Sequence, residues 1–116
     1  MAFGGGVDEA TVADVTRRLI GYFRPERIYL FGSAARGESG PDSDLDFCIV
    51  LPEGAPSELF RASARESVRG LGRAVDLVRC SAGDFDLRAA QVKASLPATV
   101  VREGRLLYDA RESKAA

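Results

Sequence analysis

The sequence predicts an α+β fold, a central β-sheet covered by helices, and three observations carry that prediction. Short apolar runs rich in aromatic and β-branched residues, "RIYLFG", "DLDFCIVL" and "RAVDLVRC", are bounded by glycine, proline and aspartate, as strands ended by turns are. Between and around them lie stretches whose apolar residues recur at three- and four-residue steps, the period of an amphipathic helix. The chain has 116 residues, 46% hydrophobic and 28% charged with a net charge of −1, enough for one packed core and too few for two. Read along the chain, the order is α-β-β-α-β-α-β, which suits a sheet buried beneath helices.

Residues 1–6, ending in "GGG", are expected to be a flexible lead, and a single domain to occupy 7–110. From 7 to 23 a helix is expected: Val12, Val15, Leu19, Ile20 and Phe23 share one face, and Asp8 and Glu9 sit near its positive end. Pro25 ends it. "RIYLFG" is the first strand, stopped by Gly32; "SAARGE" then favours a brief turn of helix and "SGPDS" a loop. "DLDFCIVL" is the second strand, ended by Pro52. Residues 58–71 have the composition of an amphipathic helix exposing Arg61, Arg65, Glu66 and Arg69 as a solvated face. "RAVDLVRC" is the third strand. Ser81 or Asp84 caps a helix through "FDLRAAQVKASL", Pro97 divides it from a shorter turn in "ATVVREG", and Gly104 closes that segment. "RLLYD" forms a short last strand, and residues 111–116 a polar tail that frays.

Composition narrows the function classes. The chain lacks the positive excess that phosphate-backbone binding needs, so direct nucleic-acid binding is not expected, although a local arginine cluster can still meet a nucleotide. No apolar run approaches the roughly 18 to 20 residues of a membrane span, and "MAFGGGVDEA" lacks the parts of a signal peptide; no membrane association and a cytoplasmic location are expected. Cys48 and Cys80 lie in strand-like runs and read as small buried hydrophobes rather than as a disulfide or metal pair. Tyr22, Tyr29 and Tyr108 read as core or edge packing; Leu106 and Leu107 fit either strand burial or a partner interface. The sequence has no histidine, so any catalysis must rest on carboxylates, hydroxyls, arginines or lysines.

The anomaly is a set of carboxylates inside apolar runs. Side chains alternate along a strand, so Asp44 and Asp46 project from one face about 6.5 to 7 Å apart. Carboxylates removed from water are strongly disfavoured unless a cation, water or donors meet them. Asp76 repeats the anomaly between Val75 and Leu77. Should its strand pair beside that of Asp44 and Asp46, the three carboxylates form an oxygen cage of the kind that suits magnesium or manganese. Two such ions would serve an in-line phosphoryl or nucleotidyl displacement, and the third aspartate could accept the proton of an attacking hydroxyl. Gly32 at a strand end lets a ligand approach the backbone, Ser33 adds a hydroxyl, and Arg36, about one turn further on, can reach the same phosphate or the loop.

"GSAARGESGPDSDLD" is Gly-Ser, ten residues, then Asp-x-Asp, and with "VDL" downstream it resembles the nucleotidyltransferases of the polymerase beta superfamily, most of all the minimal nucleotidyltransferases that pair with HEPN-domain toxins. The resemblance spans about residues 10–109. It implies the polymerase beta-like fold, a central mixed sheet flanked by helices. It also implies that Gly32 and Ser33 hold the triphosphate of ATP, that Asp44 and Asp46 bind two magnesium ions, and that Asp76 completes the site as ligand and general base. The implied reaction moves AMP from ATP to an acceptor hydroxyl and releases pyrophosphate. Larger relatives such as the aminoglycoside nucleotidyltransferases add a helical domain that holds the acceptor; here the sequence ends soon after its last strand, so the acceptor is expected on another protein. In the antitoxin members that acceptor is a tyrosine of the HEPN toxin, whose ribonuclease activity AMP addition silences. Two other readings stay open: a non-catalytic antitoxin that binds nucleotide and masks its toxin, and an aminoglycoside-type enzyme acting on a small molecule. Homo- and hetero-oligomers are both compatible with the sequence.

Overall fold

A computed structural model describes residues 9–38, 44–61, 65–72 and 74–115; the expected N-terminal lead and the "SGPDS" loop lie outside the described residues. Helix α1 runs over Glu9–Phe23 and buries Val12, Val15, Leu19 and Phe23, one stripe at three- and four-residue steps. It stops where Arg24 takes a left-handed backbone (φ 50°) and still donates its N–H to the Ile20 carbonyl at 3.0 Å, just ahead of Pro25.

Four strands follow: β1 (Arg27–Phe31), β2 (Leu45–Leu51), β3 (Val75–Ser81) and β4 (Arg105–Asp109), in the spatial order β3-β2-β1-β4. β1 pairs antiparallel with both β2 and β4, whereas β2 and β3 run parallel. The sheet is therefore mixed and flanked by helices, as expected. β2 is central and nearly every one of its residues is buried, because both of its faces are covered. Its odd-numbered residues Leu45, Phe47, Ile49 and Leu51 join Ile28, Leu30 and the α1 stripe in the main core. Its even-numbered Cys48 and Val50 join Tyr29, Phe31 and Cys80 in a second core.

That second core is covered by α3 (Ala82–Gln91) and α4 (Leu96–Glu103), which contribute Phe85 and Val100. Ser81 is the cap of α3, its side chain accepting from the Asp84 N–H. Pro97 does not divide a helix, contrary to expectation. It occupies the first turn of α4, where its missing N–H costs nothing, and Ser95 caps that helix by accepting from the Ala98 N–H. "ATVVREG" is accordingly helix rather than a short turn, closed by Gly104.

The stretch 58–71 also departs from expectation. Its described parts are a four-residue helix α2 (Glu58–Arg61) and a 3-10 turn (Arg65–Val68), with residues 62–64 outside the description. Leu59, Phe60, Val68 and Leu71 all pack against the main core. On one continuous helix they would spread over about 180° of its circumference, so two short pieces reach the core where a single rod could not. At the C-terminus, Ala110–Ala115 forms a helix, α5, where the sequence reading expects a tail. Asp109 starts it by accepting from the Arg111 N–H at 2.9 Å. Cys48 and Cys80 are free thiols; Cys48 is buried, as expected, whereas Cys80 is partly exposed rather than buried.

Candidate active site

Parallel pairing of β2 with β3 brings the carboxylates together. Asp46 is the register partner of Asp76, and the ladder extends to the strand starts, where the Leu45 N–H donates to the Ala74 carbonyl at 3.0 Å. Both aspartates belong to the even-numbered face, the side of α3 and α4, at the end that the second core leaves open. Asp44 lies one residue before β2 and is exposed. Two of the three expected carboxylates are thus side by side, and the charge of the third acts on Asp46.

Asp46 reports this crowding. Its carboxyl is held above the ordinary carboxylate range, first by burial, then by the negative charges of Asp76 and Asp44 and by a hydrogen bond with the Asp76 side chain. Among the described residues no group of three or more His, Cys, Asp or Glu side chains is gathered tightly enough to enclose a metal ion. The donor set nevertheless fits a hard divalent cation: it is all oxygen, it carries mutual repulsion that a cation would relieve, and it stands at an accessible edge.

Antiparallel pairing of β1 with β2 delivers the other half of the site, since Phe31 is the register partner of Asp46 and Gly32 follows it. Gly32 has φ 75°, and a Cβ built there would lie 2.5 Å from the Asp46 Oδ2. The glycine is therefore required twice, for its left-handed backbone and for the carboxylate packed against it. Beyond it, residues 32–37 form consecutive turns instead of a helix: the Gly32 carbonyl accepts from the N–H groups of Ala35 and Arg36, and the Ser33 carbonyl accepts from that of Glu38 at 2.9 Å. Among the described residues, the amides of Ser33 and Ala34 take no part in these bonds. Arg36 stands on the exposed side of the turn, ion-paired with Glu38 at 3.0 Å. Phe31 was legible in the sequence only as a strand residue; its position just before Gly-Ser makes it the apolar neighbour of Asp46.

Two surface cavities lie away from this edge. One of about 380 Å³ opens between α1 and β4 beside Val12, Thr16, Ile20 and Leu107, and one of about 530 Å³ beside Pro25, Pro52 and Tyr108. Neither includes any of the three aspartates.

The nucleotidyltransferase domain family matches residues 12–103, which span the Gly-Ser turn and all three aspartates. Among solved structures, a protein assigned as a nucleotidyltransferase from Sulfolobus solfataricus is 19% identical, with a TM-score of 0.53 over 89% of this chain and 81% of that one. A chain from a mutant of the toxin-antitoxin pair MntA-HpeT is 24% identical, with a TM-score of 0.53 over 94% of this chain and 78% of that one. At these identities the likeness is one of fold. No curated protein matches the sequence.

Proposed function

The chain belongs to the nucleotidyltransferase domain family and is a nucleotidyltransferase; from that premise we propose that it moves AMP from ATP to a tyrosine hydroxyl of a HEPN ribonuclease toxin and so acts as an antitoxin. The observation that carries the reading is the Asp46–Asp76 register across β2 and β3, with Gly32 held against the Asp46 carboxylate.

Each residue then has a role. The Ser33 hydroxyl and the open amides of its turn receive the triphosphate, with Gly32 allowing its close approach. Asp44, Asp46 and Asp76 would hold two magnesium ions, which when bound would neutralise phosphate charge and lower the pKa of an attacking oxygen. Asp76 accepts the tyrosine hydroxyl proton, Asp46 stands beside it as its register partner, and pyrophosphate leaves from the turn side. Arg36 must exchange its Glu38 partner for phosphate to take part. The partner assignment is supported by the sequence resemblance and by a solved neighbour of the same fold that is itself part of a toxin-antitoxin pair.

The test is identification of the neighbouring gene and, where it encodes a HEPN protein, incubation of that protein with this chain, α-labelled ATP and magnesium. Label should enter a tyrosine of the HEPN protein and silence its ribonuclease activity, and Asp46→Asn should abolish both effects. A toxin inhibited without label would instead establish masking, and label entering only a small-molecule acceptor would establish the aminoglycoside-type reading.

A further inference from the structure

We propose that Cys48 and Cys80 form an oxidisable dithiol, in which a peroxide attacks Cys80 and Cys48 resolves the product into an intrachain disulfide joining β2 to β3. They are the two cysteines of the chain, and their Sγ atoms lie 3.9 Å apart. The register pairs Cys48 with Val78 and Val50 with Cys80, so the thiols sit diagonally on the same face of adjacent parallel strands. Cys48 has no exposed surface, whereas Cys80 is partly open to solvent. One thiol can be reached by a small oxidant and the other is shielded from everything except its neighbour.

The surroundings favour Cys80 as the reacting group. A hydrogen bond with Cys48 draws its thiol below the ordinary range, against the opposing effects of burial and Asp84, and the charges of Arg27 and Arg88 act in the same direction as that bond. Arg27 is fixed for this role, its side chain 5% exposed, paired with Asp86 at 3.0 Å and lying 5.2 Å from the Phe85 ring.

The chemistry balances. The Cys80 thiolate attacks one peroxide oxygen, the O–O bond breaks, hydroxide leaves and takes up the thiol proton as water, and Cys80 becomes a sulfenic acid. The Cys48 sulfur then attacks the Cys80 sulfur, an S–S bond forms, and the sulfenic oxygen leaves as a second water. Two thiols lose two electrons and one peroxide gains them.

Closing the bond must also move the sheet. Strand spacing and rise place residues in this diagonal relation roughly 8 Å apart at Cα, beyond the usual 4.4 to about 6.8 Å of a disulfide. The strands slide by about 2 Å to close it, well short of the roughly 3.3 Å of a one-residue slip in register, and a bond made under such strain is readily reduced again. Asp46 lies two residues before Cys48, and Asp76 four before Cys80, on these same strands. The slide misaligns the aspartates, so oxidation lowers nucleotide transfer reversibly; this last clause rests on the proposed function, and the bond itself does not.

The experiment treats the reduced full-length protein with hydrogen peroxide, blocks residual thiols, and reads intact mass and non-reducing tryptic peptides. Wild type should lose about 2 Da, link peptide 37–61 to peptide 80–88, and revert with dithiothreitol. Cys48→Ala, which also removes the bond that lowers the Cys80 thiol, should form a sulfenic acid on Cys80 more slowly and stop there, trapped by dimedone, and Cys80→Ala should stay unmodified at the same dose. Linked dimers, an unlinked oxidised Cys80 in wild type, or no reaction would each overturn the proposal. The wild-type result decides even if a variant fails to fold. A linked protein that transfers AMP as fast as the reduced one keeps the bond and refutes only its coupling to the aspartates, whereas absence of transfer in both forms refutes the proposed function.

Discussion

Replacing Gly32 by alanine separates two consequences of one methyl group. At φ 75° an L-residue carries a backbone penalty of about 1 to 2 kcal/mol, which for a domain of this size lowers Tm by roughly 4 to 8 °C. The new Cβ also stands 2.5 Å from the Asp46 Oδ2, where ordinary contacts begin near 3.4 Å. That oxygen is the far end of a side chain, so it can retreat by about 1 Å with little further loss of stability. Such a retreat displaces a reacting group, and misplacement on that scale costs about 100-fold in rate, or about 2.7 kcal/mol of transition-state stabilisation. Gly54 supplies the control: its φ is 84°, and a Cβ there meets nothing within 4 Å. Gly54→Ala should lose as much Tm as Gly32→Ala and keep its activity. Differential scanning calorimetry and single-turnover label transfer at 25 °C read the two effects separately. If Gly32→Ala transfers AMP within about threefold of Gly54→Ala, the Asp46 carboxylate is not part of the reacting constellation and the site assignment fails.

Three further outcomes follow from the same structure. Asp46→Asn should end transfer while making the metal-free protein more stable at pH 7: a carboxyl raised above its ordinary 3.8 contributes stability below that value and loses it as pH rises through the raised one, so the gain in Tm should shrink in acid. Asp109 has the opposite sign, since Arg111 holds its carboxyl down at about 2 from 3.8; the stability it adds is present above 3.8 and lost as pH falls towards 2, and the Tm deficit of Asp109→Asn at pH 6 should vanish in strong acid. Ser95→Ala removes the cap of α4 and should cost about 1 kcal/mol in urea unfolding, with label transfer per folded molecule unchanged.

What the sequence made legible was decided by how local the cause was. The α1 stripe, the four strands and the Ser81 cap are written in adjacent residues, and the sheet follows from them. Residues 58–71 were misread because their period looks helical over short windows, whereas the chain forms a four-residue helix and a separate 3-10 turn that both pack on the core. Pro97 was misread because proline ends a helix in its interior yet begins one in its first turn, and only Ser95 two residues earlier distinguishes the cases. At the site, the proximity of Asp76 to Asp46 was inferable from matched apolar runs. The dependence of Gly32 on Asp46 was not, because it arises from β1–β2 register across a long connection.

The same register explains why a site at the sheet's edge is controlled by residues that never touch substrate. In an antiparallel sheet throughout, a third strand beside β2 would run the other way, and its aspartate near the strand start would lie at the opposite end from Asp46. The one parallel pair places both strand starts at the same edge. A slip of one residue in that pair would turn Asp76 to the α1 face and Leu77 towards Asp46. Such a slip is resisted where the strands continue into the core, by Phe47 and Leu77 on one side and Cys48 and Cys80 on the other. The alignment of the carboxylates is thus set by apolar packing one to four residues further along β2 and β3, and a change there acts on catalysis through register before it acts through stability.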